Sequence, residues 1–162
     1  MKELVGIAEQ VAARLIARKQ TIAVAESSTG GLISASLLAV PGASDYFLGG
    51  AVVYTRQSRE ALLGITADQM KDLRPSTEAY ALLLARAARR KFGATWAIAE
   101  TGAAGPTGNR YGDAAGHACI AVTGPNGSEA VTTIETGHGD REANMRAFGL
   151  AALKLLNENL EM

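Results

Sequence analysis

Ala25-Glu26-Ser27-Ser28-Thr29-Gly30-Gly31 is a short polar and glycine-rich stretch that lies between two apolar runs. The run before it, residues 21–25, is typical of a buried strand, and the run after it, residues 32–38, suits a helix. This order of segments predicts a strand, a tight loop and a helix. The first N–H groups of a helix lack partners within the helix and carry partial positive charge. Such a junction can hold an anion, or a negative charge that develops during a reaction.

The hydroxyl side chains of this junction also have a purely structural interpretation. Ser27, Ser28 or Thr29 can cap the helix by accepting a hydrogen bond from one of its first N–H groups. Because capping is the commoner use of such residues, the spacing alone leaves both interpretations open.

The rest of the chain alternates between helical and strand-like patterns. Leu4, Val11 and Leu15 recur at helical spacing, and Gly49-Gly50 inside an apolar run indicates a strand with a bulge or bend. The first predicted helix ends near Lys19-Gln20 and is followed by the strand and helix described above, of which the helix ends near Val40. Next come a strand at 46–55, a short helix from Thr55 to Leu63 and a small helix from Thr66. The remaining predicted elements are a longer helix capped by Ser76, strands at 95–99, 118–123 and 130–135, and a last helix capped by Asp140.

One long segment has no regular pattern. Residues 100–112 follow the strand at 95–99 and are rich in glycine. Long glycine-rich loops inside a compact domain tend to be functional. Further along, Gly124-Pro125-Asn126-Gly127 predicts a hairpin, so the two strands that flank it are antiparallel. We therefore expect an α/β fold, a three-layer α/β/α sandwich with a mixed sheet.

Length, charge and cysteine content narrow the classes of function. The 162 residues fit a single domain, residues 1–162. A formal net charge of zero gives little support to nucleic-acid or membrane binding and favours packing against copies of itself, so a homo-oligomer is an expectation. Cys119 is the only cysteine, which excludes an intrachain disulfide and a cysteine-based metal cluster. Without a signal-peptide pattern or a membrane-length apolar run, we expect a soluble cytoplasmic protein.

Two of the predicted loops combine glycine with hydroxyl groups. One contains Ser27 and the other spans residues 101–112. Ligands of open α/β sheets gather outside the carboxyl ends of the strands, so we expect these loops to meet at one edge. Arg141 and Arg146, near the start of the last helix, would add positive charge there, which suits a small phosphorylated ligand. Tyr54, at a strand end, belongs either to the core or to this site.

No single motif settles the chemistry. The sequence has no G-x-x-x-x-G-K-[ST], no G-x-G-x-x-G and no G-x-S-x-G. Its two histidines, His117 and His138, are too few for a convincing metal site, and each is more often an ordinary surface or strand-end residue. We therefore expect no metal.

Taken together, the motifs resemble the CinA C-terminal domain family over nearly the whole chain. The resemblance implies an α/β/α sandwich that hydrolyses the carboxamide of nicotinamide mononucleotide to nicotinic acid mononucleotide and ammonia. It implies no metal or other cofactor, and a pyridine nucleotide as the small-molecule partner. The motifs that carry it are residues 25–31, with Ser28 where the family usually has cysteine, Val53-Tyr54, Leu63-Gly64-Ile65, Gly102-Ala103-Ala104-Gly105-Pro106 and Gly139-Asp140-Arg141.

The resemblance also implies roles for individual residues. Ser27 would attack the amide carbon and form an acyl-enzyme, with Tyr54 beside it in the site. Hydroxyl and N–H groups near the oxyanion would come from Thr29, Gly30 and Gly31. The nucleotide, chiefly its phosphate, would be held by Thr101, Gly102, Ala103, Gly105, Arg141 and Arg146.

One position departs from the family pattern. Active members have a lysine a few residues after the Tyr-Ser/Thr pair, whereas this chain has Arg59. A desolvated lysine can act as a base, but an arginine, with a pKa of about 12.5 or more, cannot. Arg59 is then expected to bind the phosphate or to fix Ser27. Another base is needed, for which His117 and His138 are the candidates.

Three hypotheses of function follow from the sequence. The first is an amidohydrolase that acts on nicotinamide mononucleotide or a similar pyridine nucleotide. The second, suggested by Arg59, is a module that binds such a nucleotide without turnover. The third is a structural role linked to DNA uptake or repair, against which the neutral net charge argues.

Overall fold

The computed structural model describes residues 1–161 as five strands and five helices, with two short 3-10 turns. The elements are α1 (Lys2–Arg18), β1 (Ile22–Glu26), α2 (Leu32–Leu38), β2 (Phe47–Val52), α3 (Arg56–Leu63), α4 (Glu78–Phe92), β3 (Trp96–Ala103), β4 (His117–Thr123), β5 (Glu129–Glu135) and α5 (Arg141–Glu161).

The five strands form one mixed sheet in the order β2-β1-β3-β4-β5. β1 is parallel to both of its neighbours, β2 and β3. β4 is antiparallel to β3 and to β5, and the predicted hairpin joins β4 to β5. Helices cover both faces of the sheet. The α/β sandwich with a mixed sheet that the sequence predicts is therefore confirmed.

Alternation along the central strands places large and small apolar side chains on opposite faces. Ile22, Val24 and Ile98 belong to a buried cluster with side chains of α1, α2 and α5. Ala23 and Ala97 point to the other face and pack against α4. The small side chains of that face leave room for α4 to lie close to the sheet.

The connections of β1 and β3 create a crevice at one edge of the sheet. The chain leaves β1 through α2 to reach β2, then passes through α3 and α4 to β3, on the other side of β1. Because α2 and α4 belong to different core clusters, these two connections cover opposite faces. Ligands of such sheets bind outside the carboxyl ends of the strands where the connections diverge.

Two local predictions are confirmed in detail. The register between β1 and β2 shifts by one residue at Leu48, beside Gly49-Gly50, where the sequence predicts a bulge. Asp140 caps α5, since its Oδ1 accepts a hydrogen bond from the Ala143 N–H at 3.1 Å.

Three other local predictions are wrong. Thr77, not Ser76, caps α4; the Ser76 N–H is instead bonded to Thr101 Oγ1 at 3.0 Å. The stretch after Thr66 forms turns rather than a helix. β3 does not end at Ala99 but continues to Ala103, because β4 pairs with it that far. The irregular segment is accordingly shorter than its composition indicates.

Candidate active site

A cavity of about 510 Å³, here called the Ser27 cavity, opens at the carboxyl ends of β1 and β3. Ser27 is half-buried and follows β1 directly, while Thr101 and Gly102 lie on β3. The two loops that the sequence places at one edge therefore meet there. The lining residues are Ser27, Tyr54, Thr55, Arg56, Arg59, Met70, Leu73, Arg74, Pro75, Ser76, Thr101, Gly102, Asn109, Arg110 and Tyr111.

A smaller cavity of about 230 Å³, the Ser28 cavity, adjoins the first and shares Tyr54, Gly102 and Asn109 with it. The two cavities together are called the cleft below. The residues that line only the smaller one are Ser28, Ala103, Ala104, Gly105, Thr107, Gly108 and Arg141. Eight of the twelve residues proposed for the site from the sequence thus line the cleft: Ser27, Tyr54, Arg59, Thr101, Gly102, Ala103, Gly105 and Arg141.

The start of α2 is already occupied by a carboxylate. Glu26, at the end of β1, has no exposed surface. Its Oε1 accepts hydrogen bonds from the N–H groups of Gly31 and Ile33 at 2.9 and 3.1 Å. Its Oε2 accepts from the N–H and the hydroxyl of Ser34 at 3.0 and 2.7 Å. The capping function that the sequence assigns to the loop hydroxyls therefore belongs to Glu26.

The N–H groups expected near an oxyanion are also engaged within the protein. The Thr29 N–H donates to Glu100 Oε1 at 2.8 Å, and the Thr29 hydroxyl donates to Glu26. The Gly30 N–H donates to the carbonyl of Ser27, and the Gly31 N–H to Glu26. None of these three residues lines the cleft. They shape the loop that presents the two serines.

Ser28, which lines the cleft, has its hydroxyl in contact with a buried carboxylate behind the cleft wall. Its Oγ donates to Glu100, with distances of 2.8 Å to Oε1 and 3.1 Å to Oε2. Glu100 lies on β3 without exposed surface, and burial raises its pKa to about 7, against the hydrogen bonds from Ser28 and Thr29. Glu100 is not among the site residues predicted from the sequence. Its one signal is a carboxylate at the end of an apolar strand, directly before Thr101.

Four arginines line the Ser27 cavity, and only Arg59 among them is predicted from the sequence. Arg74 is paired with Asp113 at 2.8 Å, and this hydrogen bond holds the pKa of the Asp113 carboxyl below its usual range. Arg110 lies over the ring of Tyr111, 5.1 Å from its centroid. Among residues 1–161, neither Arg110 nor Arg56 nor Arg59 has an ion pair with a carboxylate. Their charges are available to an anion.

Arg59 contacts the side chain of Tyr80 rather than Ser27. Its guanidinium lies 5.6 Å from the ring centroid of Tyr80 and donates to the Tyr80 hydroxyl at 3.4 Å. Of the residues that the structure describes, those lining the Ser27 cavity include no lysine, histidine, aspartate or glutamate. Ser27 therefore opens on a cavity that contains guanidinium groups but no side chain suited to take its proton at neutral pH.

Arg141 bridges the two sides of the Ser28 cavity. Its guanidinium donates to the carbonyl of Gly105 and, at 3.2 Å, to the hydroxyl of Tyr54, whose side chain is exposed. The loop at Gly105 lies so close to the turn before α5 that a Cβ there would meet the Gly139 carbonyl at 2.7 Å. Glycine at both positions lets the loop approach α5, and Arg141 reaches the cleft as the resemblance implies.

Arg146 does not reach the cleft, so its predicted place in the site is wrong. It lies about 1.4 helical turns further along α5, where its guanidinium pairs with Glu142. The cavity that it lines is formed with the start of α1, including Glu3 and Leu4. Five residues after Arg141 on a helix, it points away from the site.

Neither histidine lies beside Ser27. His117 Nδ1 contacts Glu135 at 2.6 Å, and its Nε2 contacts the carbonyl of Ser76 at 2.8 Å. Burial lowers the pKa of His117, but the bonds to these two acceptors and the charges of Asp113 and Glu135 together raise it above its usual value. His138 is exposed on the turn before α5, where it accepts from the Asp140 N–H. Neither histidine lines the cleft, and both ring nitrogens of His117 are already in contact with acceptor oxygens.

Residues 1–161 contain no group of three or more histidine, cysteine, aspartate or glutamate side chains arranged to hold a metal ion. No helix in this part of the chain combines the length and the apolar character needed to span a bilayer.

Comparison with known proteins gives one consistent result. A model of the CinA C-terminal domain matches residues 5–160. A CinA-like protein of Anaeromyxobacter sp. (strain K) is 40% identical over 148 residues, covering 91% of this chain and 36% of that protein. A CinA-like protein of Desulfosudis oleivorans is 36% identical over 156 residues, covering 93% and 36%. The chain thus spans about a third of the length of the curated relatives it matches.

Solved structures agree over the whole fold. A competence/damage inducible protein, CihA, from Agrobacterium tumefaciens superposes with a TM-score of 0.90 at 26% identity, covering 99% of this chain and 96% of that one. A competence-damaged protein (CinA) superfamily protein from Escherichia coli gives a TM-score of 0.88 at 26% identity, with 96% and 90% covered.

Proposed function

The chain belongs to the CinA C-terminal domain family, and on that premise we propose that it is an amidohydrolase acting on nicotinamide mononucleotide. The reaction would give nicotinic acid mononucleotide and ammonia. The observation that carries the proposal is the cleft, in which two serines lie near arginines that have no acidic partner. A phosphorylated substrate that carries an amide needs both features.

The phosphate is the part of the substrate that the Ser27 cavity favours most. Arg56, Arg59 and Arg110 line it, and no carboxylate belongs to its lining within residues 1–161. Guanidinium groups match phosphate oxygens in planar, two-pronged hydrogen bonds, and such charged bonds are stronger than neutral ones. The phosphate would therefore lie in the larger cavity and the amide in or near the smaller one.

The pyridinium ring would lie between these two parts, at Tyr54. This side chain is 59% exposed and lines both cavities. The nicotinamide ring of the mononucleotide is a cation, and cations bind favourably over the face of a tyrosine ring. Tyr111 is the other aromatic residue of the cleft, but guanidinium groups of Arg74 and Arg110 already lie over its ring.

A second candidate function is nucleotide binding without turnover. It is favoured by one observation, the absence of a base beside Ser27 in the described lining of its cavity. Arg59, at the position of the family's lysine, cannot supply one. In this case the arginines would still hold the phosphate, and the nucleotide would dissociate with its amide intact.

Two measurements on the purified protein separate these functions. Ammonia released from nicotinamide mononucleotide reports turnover, and titration calorimetry with the same nucleotide reports binding. We expect both signals. Nicotinamide riboside, which lacks the phosphate, serves as the matched ligand and should bind at least about tenfold more weakly.

The outcomes are distinct. Heat of binding without ammonia would replace the amidohydrolase with the second candidate. Absence of both signals at millimolar nucleotide would contradict both functions.

A further inference from the structure

The contact between Ser28 and Glu100 has the geometry of a nucleophile and its base. Both carboxylate oxygens lie within 3.1 Å of the Ser28 Oγ, so the hydroxyl proton has an acceptor at hydrogen-bond distance. No contact of this kind is available to Ser27 from the described lining of its cavity. The two adjacent serines therefore differ in the property that nucleophilic catalysis requires.

Glu100 is held where it can exchange a proton at neutral pH. It has no exposed surface, and burial raises its pKa to about 7. Hydrogen bonds from the Ser28 hydroxyl and from the backbone of Thr29 and Ser27 lower the pKa. The charge of Glu26 on the neighbouring strand adds to the effect of burial and raises it. A base is most effective when its pKa lies near the working pH.

Ser28 also faces space that a substrate can enter. Only 5% of the residue is exposed, yet it lines the Ser28 cavity of about 230 Å³. Arg141 lines the same cavity and brings a positive charge that would stabilise an oxyanion. A buried serine that served only the fold would not need to border a cavity with a cation in its wall, whereas Ser28 does so and has Glu100 directly behind it.

We propose that Ser28 is the nucleophile of this site and Glu100 its general base, in place of Ser27 and a base at position 59. The inference rests on the proposed function for its substrate, the carboxamide of a pyridine nucleotide. It names a residue pair that the resemblance does not assign.

The proposed reaction balances with water as the only co-reactant. Ser28 Oγ bonds to the amide carbon while its proton passes to Glu100. Protonated Glu100 then gives that proton to the amide nitrogen, the C–N bond breaks, and ammonia leaves. Water adds to the ester carbon as Glu100 takes its proton. The bond from carbon to Oγ breaks, the proton returns to Ser28, and the carboxylic acid departs.

A small serine-reactive reagent tests the pair without relying on the nucleotide. Methanesulfonyl fluoride sulfonylates an activated serine and releases fluoride, and mass spectrometry of the digested protein locates the adduct. We expect the adduct on Ser28, with a rate that rises with pH and levels off above about pH 7, where Glu100 is ionised. A serine that served only structure would not show this pH profile.

Matched variants complete the test. Ser28→Ala should abolish labelling, and Glu100→Gln should slow it by about 100-fold or more. Ser27→Ala should retain it. Ser128→Ala and Glu129→Gln, at the opposite end of the sheet, should behave like the unmodified chain. Because the site and pH profile of the adduct are read on the unmodified chain, a variant that fails to fold does not decide the result.

Each outcome has one meaning. An adduct on Ser27, or none on Ser28 at pH 8, overturns the inference whether or not nicotinamide mononucleotide is hydrolysed. Labelling of Ser28 with the expected profile supports the pair even where that nucleotide yields no ammonia, in which case the proposed function alone fails. Ammonia release that persists in Ser28→Ala overturns the pair and leaves the proposed function intact.

Discussion

Glu26 and Glu100 lie near the carboxyl ends of neighbouring parallel strands, and neither has exposed surface. The two side chains nevertheless have different surroundings. Glu26 accepts five hydrogen bonds, three of them from backbone N–H groups at the start of α2 and its loop. Glu100 accepts from the Ser28 hydroxyl and the Thr29 N–H, and the Ser27 backbone adds a weaker contact.

This difference assigns a structural role to Glu26 and a role in proton transfer to Glu100. Glu26 is tied to the backbone that it organises, so its removal exposes several donors at once. Glu100 has few donors, which leaves burial as the dominant influence and raises its pKa to about 7. The loop between them presents one hydroxyl, that of Ser28, to the carboxylate with the raised pKa.

The largest effect is expected from Glu26→Ala. The N–H groups of Gly31, Ile33 and Ser34 would lose their acceptor inside the protein. Since an unsatisfied buried donor costs about 1–3 kcal/mol, the free energy of unfolding should fall by about 3 kcal/mol or more. Urea denaturation measures it. Glu129→Gln, on the surface, is the control, and a loss no larger than in that control would contradict the structural role of Glu26.

A different signature is expected from Glu100→Gln, namely a change in how stability depends on pH. The folded-state pKa of about 7 lies above the ordinary 4.5, so between these values the folded chain binds more protons than the unfolded chain. Stability should therefore fall as pH rises through this window, by on the order of 3 kcal/mol, and level off above it.

Glu100→Gln removes this titration. The difference in unfolding free energy between the original chain and the variant should thus decline from pH 4.5 to about 7. Denaturation series at several pH values test it, with Glu129→Gln again as the control. A difference that stays flat across the window would show that Glu100 has an ordinary pKa and would contradict its role as a base at neutral pH.

The smallest of the three effects concerns the phosphate. Arg110→Ala removes a guanidinium from the wall of the Ser27 cavity, whereas Arg146→Ala removes one from α5 outside the cleft. Affinity for nicotinamide mononucleotide should fall roughly tenfold in the first variant, because a charged hydrogen bond contributes about 1.5 kcal/mol, and should not change in the second. Calorimetry compares them. Equal losses in both variants would place the phosphate elsewhere.

Local patterns in the sequence were sufficient to predict the layers of the fold. Alternating apolar residues, glycine stops and the hairpin turn identify the strands and helices, and the order of elements predicts a mixed sheet. What they miss is which residue makes a given contact. Capping by Glu26, rather than by a loop hydroxyl, depends on a side chain that reaches eight residues along the chain to Ser34.

The site was predictable only in part, for a similar physical reason. Ser27, Thr101 and Arg141 follow from the positions of loops and helix starts, and all three line the cleft. The prediction for Arg146 is wrong because five residues on a helix make about 1.4 turns, which places its side chain on a different face from Arg141. Glu100 is 72 positions from Ser28, and its pKa depends on burial that no local pattern reveals.

Trapping the reaction intermediate tests the central claim most directly. The protein would be mixed with excess nicotinamide mononucleotide and quenched in acid within a fraction of a turnover, and its peptides analysed by mass spectrometry. The account predicts an ester between Ser28 and the carboxyl carbon of the nucleotide, absent from Glu100→Gln. An ester on Ser27, or ammonia release with no ester on Ser28, would contradict it.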